Sequence, residues 1–456
     1  MKKFDSGYAR IVWAVVLFFT VMPSYSQDNW KQFRGPGARG NGEDNTGLPK
    51  EWGEDKNITW KKKVPGKGWA SPIIFGNQII VLTAISKGEE EAPKMGLYFG
   101  GERPEPSPHI HDWRLISYDW NSGKINWQET LLSEVPKTPI HVKNSYASET
   151  PVTNGEKIIS FIGDIGIFAM DMEGNSLWTK RYPPRKRRNA WGSASSPIIH
   201  DNKVIIQNDT DETSFIACLD IDTGQTIWRV EHDELSNWST PYVWKNGKTN
   251  EIITNGRNKV RAYDFDGKVL WEMPGLSTIA IPTPFQVDQD LIVCAGYVGD
   301  RKHPAQSIIR VKPGARGNIA LKNDESSNKY ISWRATRASS YNPTPVAYKN
   351  NIYVLFDFGF FNARDLATGM EFYEKERIRR DKPAGFTASP WAYDDMVFGL
   401  SEQGETFVFS ASDRYQLLRV NKLDDLCMST PAMARGALII RSLNYLYKIE
   451  EKPVSL

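Results

Sequence analysis

The side chains best suited to chemistry in this chain are histidines, tyrosines, tryptophans and arginines in polar segments between apolar runs. They stand in PSPHIHDW (106–113), PKTPIHVKNSY (136–146), KRYPPRKRRNAW (180–191) and GDRKHPAQ (299–306). Imidazole or phenol can abstract a proton, and a guanidinium can neutralise a carboxylate. The candidates for such catalysis are His111, His141, Tyr146 and Arg188, and the candidates for ligand binding are Asn144, Tyr146, Arg188, Trp191, Asn237, Trp238, Arg301 and His303.

Metal binding receives little support from the sequence. His109 and His111 form a His-x-His pair of the kind found in zinc sites, but no nearby segment supplies further ligands at a known spacing. We therefore predict no metal site. The cysteines, three in number, are isolated from one another and allow at most one disulfide, so buried free thiols are the favoured interpretation.

The basic run 180–188 places six cations within nine residues. A planar guanidinium fork suits a carboxylate or sulfate group, so the run could bind an anionic ligand. A basic run is also common in a solvated loop that binds nothing. The sequence leaves both interpretations open.

Eight repeats must position these loops. Each begins with a small hydroxyl residue, a proline and an apolar run, and five of the seven spacings lie between 41 and 46 residues, the period of a four-stranded propeller blade. The dipeptides are Ser71-Pro72, Thr150-Pro151, Ser196-Pro197, Thr240-Pro241, Thr283-Pro284, Thr344-Pro345, Ser389-Pro390 and Thr430-Pro431.

The second half of each repeat contains a glycine turn followed four residues later by an aromatic residue, as in AMDMEGNSLW (169–178) and CLDIDTGQTIW (218–228). Glycine accepts the positive φ of a tight turn. Tryptophan on an outer strand can fill the wedge between neighbouring blades. We therefore interpret these tryptophans as structural and assign them no role in binding a cofactor.

The ends of the chain predict ring closure. The eighth repeat starts at Cys427 and ends near Glu450, without room for a fourth strand, while NITWKKKVPG (57–66) has the outer-strand pattern and no blade of its own. We expect strand 57–64 to complete the eighth blade, which removes two exposed sheet edges. The predicted fold is all-β: a single eight-bladed β-propeller of four-stranded antiparallel blades, closed by an N-terminal outer strand.

The first 26 residues are typical of an export signal. Basic residues precede an apolar run at 11–21, and a small residue at Ser26 precedes the expected cleavage before Gln27. We divide the chain into a signal peptide at 1–26, an N-terminal extension at 27–56 and the propeller at 57–452. The expected product is an exported, periplasmic or secreted monomer without a membrane span. A formal net charge of +3 gives no case for nucleic acid.

The repeat A-x-D-x-x-(T)-G-x-x-x-W resembles that of the pyrroloquinoline-quinone (PQQ) repeat propellers, whose superfamily includes quinoprotein alcohol dehydrogenases. QFRGPGARGNG (32–42), NSYASETPVTNGE (144–156) and CMSTPAMARG (427–436) are similar to segments of exported bacterial PQQ-binding-like proteins. The resemblance implies a quinone held on the channel axis with Ca²⁺, usually beside adjacent cysteines. This chain has no adjacent cysteines and no recognisable Ca²⁺-ligand spacing, so we expect no cofactor.

Propeller geometry predicts where the working surface lies. The links between blades and the loops between second and third strands open on one face, which carries 86–112, 133–146, 181–191, 232–238 and 297–306. We call this the loop-rich face and predict that it binds an anionic glycan or a protein partner as a scaffold. A polysaccharide lyase using histidine, tyrosine and arginine there is the alternative, and a PQQ-dependent dehydrogenase is the second alternative.

Overall fold

Eight antiparallel sheets form the propeller, which confirms the predicted fold class. The computed structural model describes residues 28–96, 103, 105–297, 299–300, 306–322, 325–379 and 381–451. From inner to outer strand, the first blade contains Ile73–Phe75, Gln78–Ser86, His111–Asp119 and Ile125–Glu134, and the second contains Val152–Thr153, Lys157–Ile162, Gly166–Asp171 and Ser176–Arg181. The third blade contains Ile198–His200, Lys203–Asn208, Ser214–Asp220 and Thr226–His232, and the fourth contains Tyr242–Lys245, Asn250–Asn255, Lys259–Tyr263 and Val269–Pro274.

The other four blades repeat this order with local variations. The fifth blade contains Phe285–Val287, Asp290–Ala295, Ser307–Val311 and Ile331–Ala335, and the sixth contains Val346–Tyr348, Asn351–Phe356, Phe360–Asp365 and Glu376–Arg377. The seventh blade contains Trp391–Tyr393, Met396–Leu400, Glu405–Ser410 and Leu417–Lys422, and the eighth contains Ala432–Ala434, Ala437–Arg441, Tyr445–Glu450 and Ile58–Lys63. An insertion in the fifth blade adds Gly317–Asn318 to the edge of the fourth. Two short 3₁₀ helices lie at Pro36–Ala38 and Arg188–Ala190.

The predicted ring closure is confirmed. Strand Ile58–Lys63 pairs antiparallel with Tyr445–Glu450, and Trp60 lies opposite Lys448. Trp60 is 8% exposed, and its indole N–H donates to the carbonyl of Trp120 in the first blade at 3.2 Å. The closing strand therefore completes the eighth blade and also contacts the first.

The repeated glycine and tryptophan belong to one contact between neighbouring blades. Trp178 of the second blade donates its indole N–H to the Ile221 carbonyl of the third blade at 2.9 Å. Gly224, in the turn beside it, has φ 69°, and a Cβ there would lie 2.5 Å from the Trp178 ring. Trp333 and Gly369 form the same pair between the fifth and sixth blades. The tryptophans pack between blades, as their structural interpretation predicts.

The N-terminal segment 29–53 crosses the face opposite to the loop-rich face. Trp30 exchanges backbone hydrogen bonds with Ile74 of the first blade at 2.9 and 2.8 Å. Farther along, the Asn41 side chain donates to the Ala347 carbonyl of the sixth blade at 2.8 Å. Trp52 then stacks on Phe398 of the seventh blade, with ring centroids 6.0 Å apart. The segment thus joins opposite sides of the ring before it enters the eighth blade.

Arg34 fixes this segment at the channel. Its side chain is fully buried, and its guanidinium donates five hydrogen bonds of 2.9 to 3.4 Å, all to backbone carbonyls. The acceptors belong to Ala38, Arg39, Thr344, Pro345 and Pro390. Burial lowers the pKa of Arg34 to about 9, so the side chain stays a cation at neutral pH. The motif at 32–42 is therefore a plug at one end of the channel.

Candidate functional site

A cavity of about 350 Å³ lies on the propeller axis above the plug. Phe33 of the plug forms part of its lining, together with residues from the links that lead into the inner strands. We call it the axial cavity. It lies among the loops of the loop-rich face, where the sequence predicted the main pocket. Its aromatic lining residues are Phe33, Trp69, Trp191, Trp238, Tyr297, Tyr341 and Phe358.

A ring of hydroxyl side chains surrounds the axial cavity. Seven of the eight hydroxyl residues that open the blades line it, from Thr150 to Thr430. These eight residues are joined by six hydrogen bonds, in each of which the backbone N–H of one residue donates to the side-chain oxygen of its counterpart in the next blade, at 2.9 to 3.1 Å. The donors are Ser71, Thr150, Ser196, Thr283, Thr344 and Ser389.

Three tryptophans from the links form one wall. The indole N–H groups of Trp69 and Trp238 donate to link carbonyls at 2.8 and 2.7 Å, which fixes both rings. Trp191 lies between Trp238 and His141, with ring centroids 5.8 and 5.7 Å away respectively. The result is an aromatic surface beside the hydroxyl ring, a combination suited to a compact ligand with both apolar and polar groups.

A buried ion pair ties the cavity wall across the ring. Lys143, in the link before the second blade, donates to Glu402 of the seventh blade. Glu402 is fully buried and also accepts the Thr387 hydroxyl at 2.8 Å and the Gly96 backbone N–H at 2.7 Å. The positive charge of Lys143 is thereby balanced, so the pair contributes no net charge to the cavity.

A second buried carboxylate, that of Asp357, lies behind the lining residues Tyr341 and Asn342. Asp357 is 2% exposed and accepts the backbone N–H groups of Tyr341 and Asn342, each at 2.8 Å. Burial raises the pKa of Asp357 to about 6, although these two hydrogen bonds oppose the shift. Burial also raises the pKa of Tyr341, so its phenol stays protonated at neutral pH. Asp357 therefore positions two lining residues and does not itself line the cavity.

Four of the residues predicted from the sequence line the axial cavity: His141, Asn144, Trp191 and Trp238. Asn144 also donates its side-chain N–H to the Trp191 carbonyl at 2.8 Å, which joins two links. Arg188 adjoins the cavity without lining it. Its guanidinium lies 5.7 Å from the Tyr297 ring centroid and donates to the Thr278 carbonyl at 3.0 Å.

The predicted placement of Tyr146 in the axial pocket is wrong. Its ring turns toward the first blade, 5.0 Å from the His111 ring, and its hydroxyl accepts the Ser107 backbone N–H at 3.0 Å. His111 is 1% exposed and lies 2.9 Å from the Glu90 carboxylate and from the His109 carbonyl. Since 105–110 folds over the first blade, these side chains pack there and do not reach the axis.

Asn237, a candidate ligand-binding residue, does not line the axial cavity. It is 2% exposed, and its amide donates to Asp209, which accepts from His232 at 2.6 Å and from Gln207 at 2.6 Å. This polar network joins the third blade to the fourth, since His232 also lies 3.1 Å from the Tyr263 hydroxyl. Arg301 and His303 lie outside the described residues.

The basic run at 180–188 is used mainly to hold the fold together. Arg187 is 8% exposed and bonds the Asp164 carboxylate at 3.0 Å, the Asp209 carbonyl at 2.6 Å and the Asn208 side chain at 2.6 Å. Arg181 pairs with Glu134 at 2.7 Å. Arg187 fits neither of the two interpretations, because it is buried and structural, and neither Arg181 nor Arg187 lines the axial cavity.

The axial cavity does not fit a Ca²⁺-bound quinone. Ca²⁺ takes six to eight oxygen ligands, commonly carboxylates. Among the described lining residues there is no Asp, Glu or Cys, and the described part of the chain holds no cluster of three or more His, Cys, Asp or Glu suited to a metal. The three cysteines are buried free thiols. The lyase constellation is also dispersed, since Tyr146 and His111 lie away from His141.

The comparisons agree with the repeat pattern. Residues 212–371 match the family model described as outer membrane protein assembly factor BamB. The factor of that name from Burkholderia pseudomallei is 21% identical over 212 residues, which cover 42% of this chain and 52% of the relative. The match thus spans about half the length of that relative. The predicted resemblance to PQQ-repeat propellers is confirmed.

Solved structures show the same fold. BamB from Moraxella catarrhalis has a TM-score of 0.55 at 12% identity, covering 86% of this chain and 99% of that one. Quinohemoprotein alcohol dehydrogenase from Comamonas testosteroni has a TM-score of 0.58 at 11% identity, covering 94% and 81%. Identities this low establish the architecture alone. In the described part of the chain no helix is long and apolar enough to cross a membrane.

Proposed function

We propose that this protein is an exported binding module whose axial cavity takes a compact, neutral, hydroxyl-bearing ligand such as one sugar unit. The observation that carries the proposal is a cavity of about 350 Å³ lined by a ring of hydroxyls and by three tryptophans. Ligand pockets of about 300–1,000 Å³ commonly combine aromatic surface with a few placed polar groups. The N-terminal plug lies across the far end, so the ligand would enter from the loop-rich face.

Charge favours a neutral ligand over the anionic glycan expected from the sequence. Lys143 is the cation in the described lining, and Glu402 already neutralises it. The arginines of the basic run are engaged elsewhere, as Arg187 and Arg181 show. An anion would have to compete with Glu402 for Lys143, whereas a neutral sugar could stack on Trp191 and Trp238 and exchange hydrogen bonds with the hydroxyls.

Calorimetry with neutral and uronic-acid oligosaccharides tests this proposal. Trp191→Ala should weaken binding of the neutral ligand about tenfold, since an aromatic contact contributes about 0.5–1.5 kcal/mol beyond the apolar area that it buries. Trp228→Ala is the matched control, because Trp228 packs between blades outside the cavity. It should lower stability and leave the dissociation constant unchanged. Preference for uronic-acid ligands, or equal affinity of Trp191→Ala and the wild type, would contradict the proposal.

A protein partner is the second candidate, and the match to a family model described as an assembly factor favours it. In this case the rim of the loop-rich face would contact the partner. Site-specific photocrosslinkers at Lys137 on the loop-rich face and at Lys203 on the other face distinguish the two surfaces. Crosslinked partners confined to position 137 would support the scaffold, and crosslinking from position 203 alone would count against it.

We further propose that the protein binds no quinone and is not a dehydrogenase, on the basis of the donor set around the axial cavity. Reconstitution with PQQ and Ca²⁺ should leave no stoichiometric quinone absorption after gel filtration. A retained quinone together with alcohol oxidation would refute this. Export is proposed from residues 1–26, and a mature N-terminus near Gln27 would support it.

A further inference from the structure

We infer that a second site, on the face opposite to the loop-rich face, binds a small organic anion bearing carboxylate or phosphate groups. A cleft of about 450 Å³ lies there between the N-terminal plug and the inner strands of the third, fourth and fifth blades. Phe33, Thr240 and Thr283 line both this cleft and the axial cavity, so the two spaces are adjacent. We call the second space the plug cleft.

The charge of the plug cleft distinguishes it from the axial cavity. Arg39 of the plug and Lys245 of the fourth blade both line it. Neither has an ion pair with a carboxylate among the residues that the structure describes. Asp288 is the one carboxylate in the described lining. Two cations facing a shared space with one acid leave a positive potential that an anion would neutralise.

Other polar groups fix the backbone of Lys245 or can donate a hydrogen bond to a ligand. The Gln286 amide bonds both the N–H and the carbonyl of Lys245, at 3.1 and 2.9 Å, which fixes that backbone. Tyr242 lines the cleft with a phenol that stays protonated, because burial raises its pKa to about 12. A protonated phenol beside a guanidinium fork can donate to the oxygens of one oxyanion.

His200 completes the polar lining and provides a spectroscopic reporter. Its ring lies 4.7 Å from the Phe265 ring, and burial lowers the pKa of its imidazole. The charged groups around it are Asp201, Lys203 and Lys245. The imidazole is therefore mainly neutral near pH 7, and it senses an anion through its ring chemical shifts without supplying the main positive charge.

Titration with inorganic phosphate, sulfate and succinate, at constant ionic strength with chloride as the reference, tests the plug cleft. We expect saturable shifts of the His200 ring resonances with at least one of these probes and not with chloride. The double variant Arg39→Gln/Lys245→Gln should weaken binding at least about tenfold, because it removes both charged donors. Preference for succinate over phosphate would identify a carboxylate ligand, and the reverse would identify a phosphate ligand.

The matched control is Lys382→Gln/Arg414→Gln, which removes the same net charge from exposed positions outside the cleft. It should bind like the wild type. The inference fails if no probe shifts His200 saturably, or if both double variants lose affinity equally, since the effect would then be general electrostatics. If the cleft variant does not fold, Lys245→Gln alone decides the outcome. Loss of sugar binding at the axial cavity has no bearing on this result.

Discussion

Replacing Thr344 by valine tests whether the hydroxyl ring stabilises the propeller. Valine keeps the shape of threonine and removes the oxygen that accepts the Thr283 backbone N–H at 3.0 Å. Because Thr283 is 1% exposed, that N–H would be left buried without its acceptor. An unsatisfied buried donor costs about 1–3 kcal/mol. We therefore expect the free energy of unfolding to fall by about 2 kcal/mol.

Thr283→Val is the matched control, because the ring is interrupted at this residue. Its hydroxyl oxygen is buried and has no hydrogen-bond partner in the residues that the structure describes. Removing an unpaired buried hydroxyl should change the free energy of unfolding by less than about 0.5 kcal/mol, or raise it slightly. Urea denaturation followed by tryptophan fluorescence measures both variants. Equal losses for Thr344→Val and Thr283→Val would refute the role assigned to the ring.

Two further predictions concern the plug and the cavity wall. Arg34→Ala should lower the free energy of unfolding by about 3–5 kcal/mol, because five buried carbonyls lose a charged donor. As the control, Arg414→Ala at an exposed position should change it by less than about 0.5 kcal/mol. A loss below about 1 kcal/mol for Arg34→Ala in urea denaturation would contradict the role of Arg34. Asp357 has a folded-state pKa of about 6, above its unfolded value of 3.8, so its contribution to stability falls as pH rises from 4 to 6. Asp357→Asn should flatten stability between pH 4 and 6, measured as urea midpoints, and an unchanged slope would show that other groups titrate there.

The fold could be predicted because the signals repeat. Each hydroxyl-proline start, glycine turn and outer tryptophan occupies an equivalent place in successive blades, so the spacing alone indicates a ring. The ring hydrogen bonds join equivalent residues, such as Thr150 and Ser196, 46 positions apart. Their sequence separation is therefore the repeat spacing itself. The sequence marks the hydroxyls, but their role as acceptors follows from the circular arrangement.

The site could be predicted only in part, because the direction of a side chain depends on local packing. Tyr146 stands near an inner strand, as expected, yet its ring joins Trp113 and His111 over the first blade. Asn237 directly precedes the cavity residue Trp238, but its amide turns inward to the Asp209 carboxylate. Neighbouring positions in a link thus face opposite directions, and a loop-level prediction does not separate them.

The plug was not predicted because its partners carry no sequence signal. Arg34 bonds backbone carbonyls more than 300 residues away, and a carbonyl is present at every position. A carboxylate partner would instead be visible in the sequence as an acidic residue. The motif at 32–42 therefore contains two arginines and no acidic residue that would point to a partner, and its purpose follows from the channel that it enters.

The closing strand and the plug belong to one continuous segment, and this couples the fold to both sites. Residues 58–63 supply the last strand of the eighth blade, while Phe33 lines both the axial cavity and the plug cleft. Detaching this segment would expose two sheet edges and would also remove Phe33 from the lining of both spaces. The integrity of either binding site therefore depends on ring closure, so variants that loosen the closing strand should lose both ligands together.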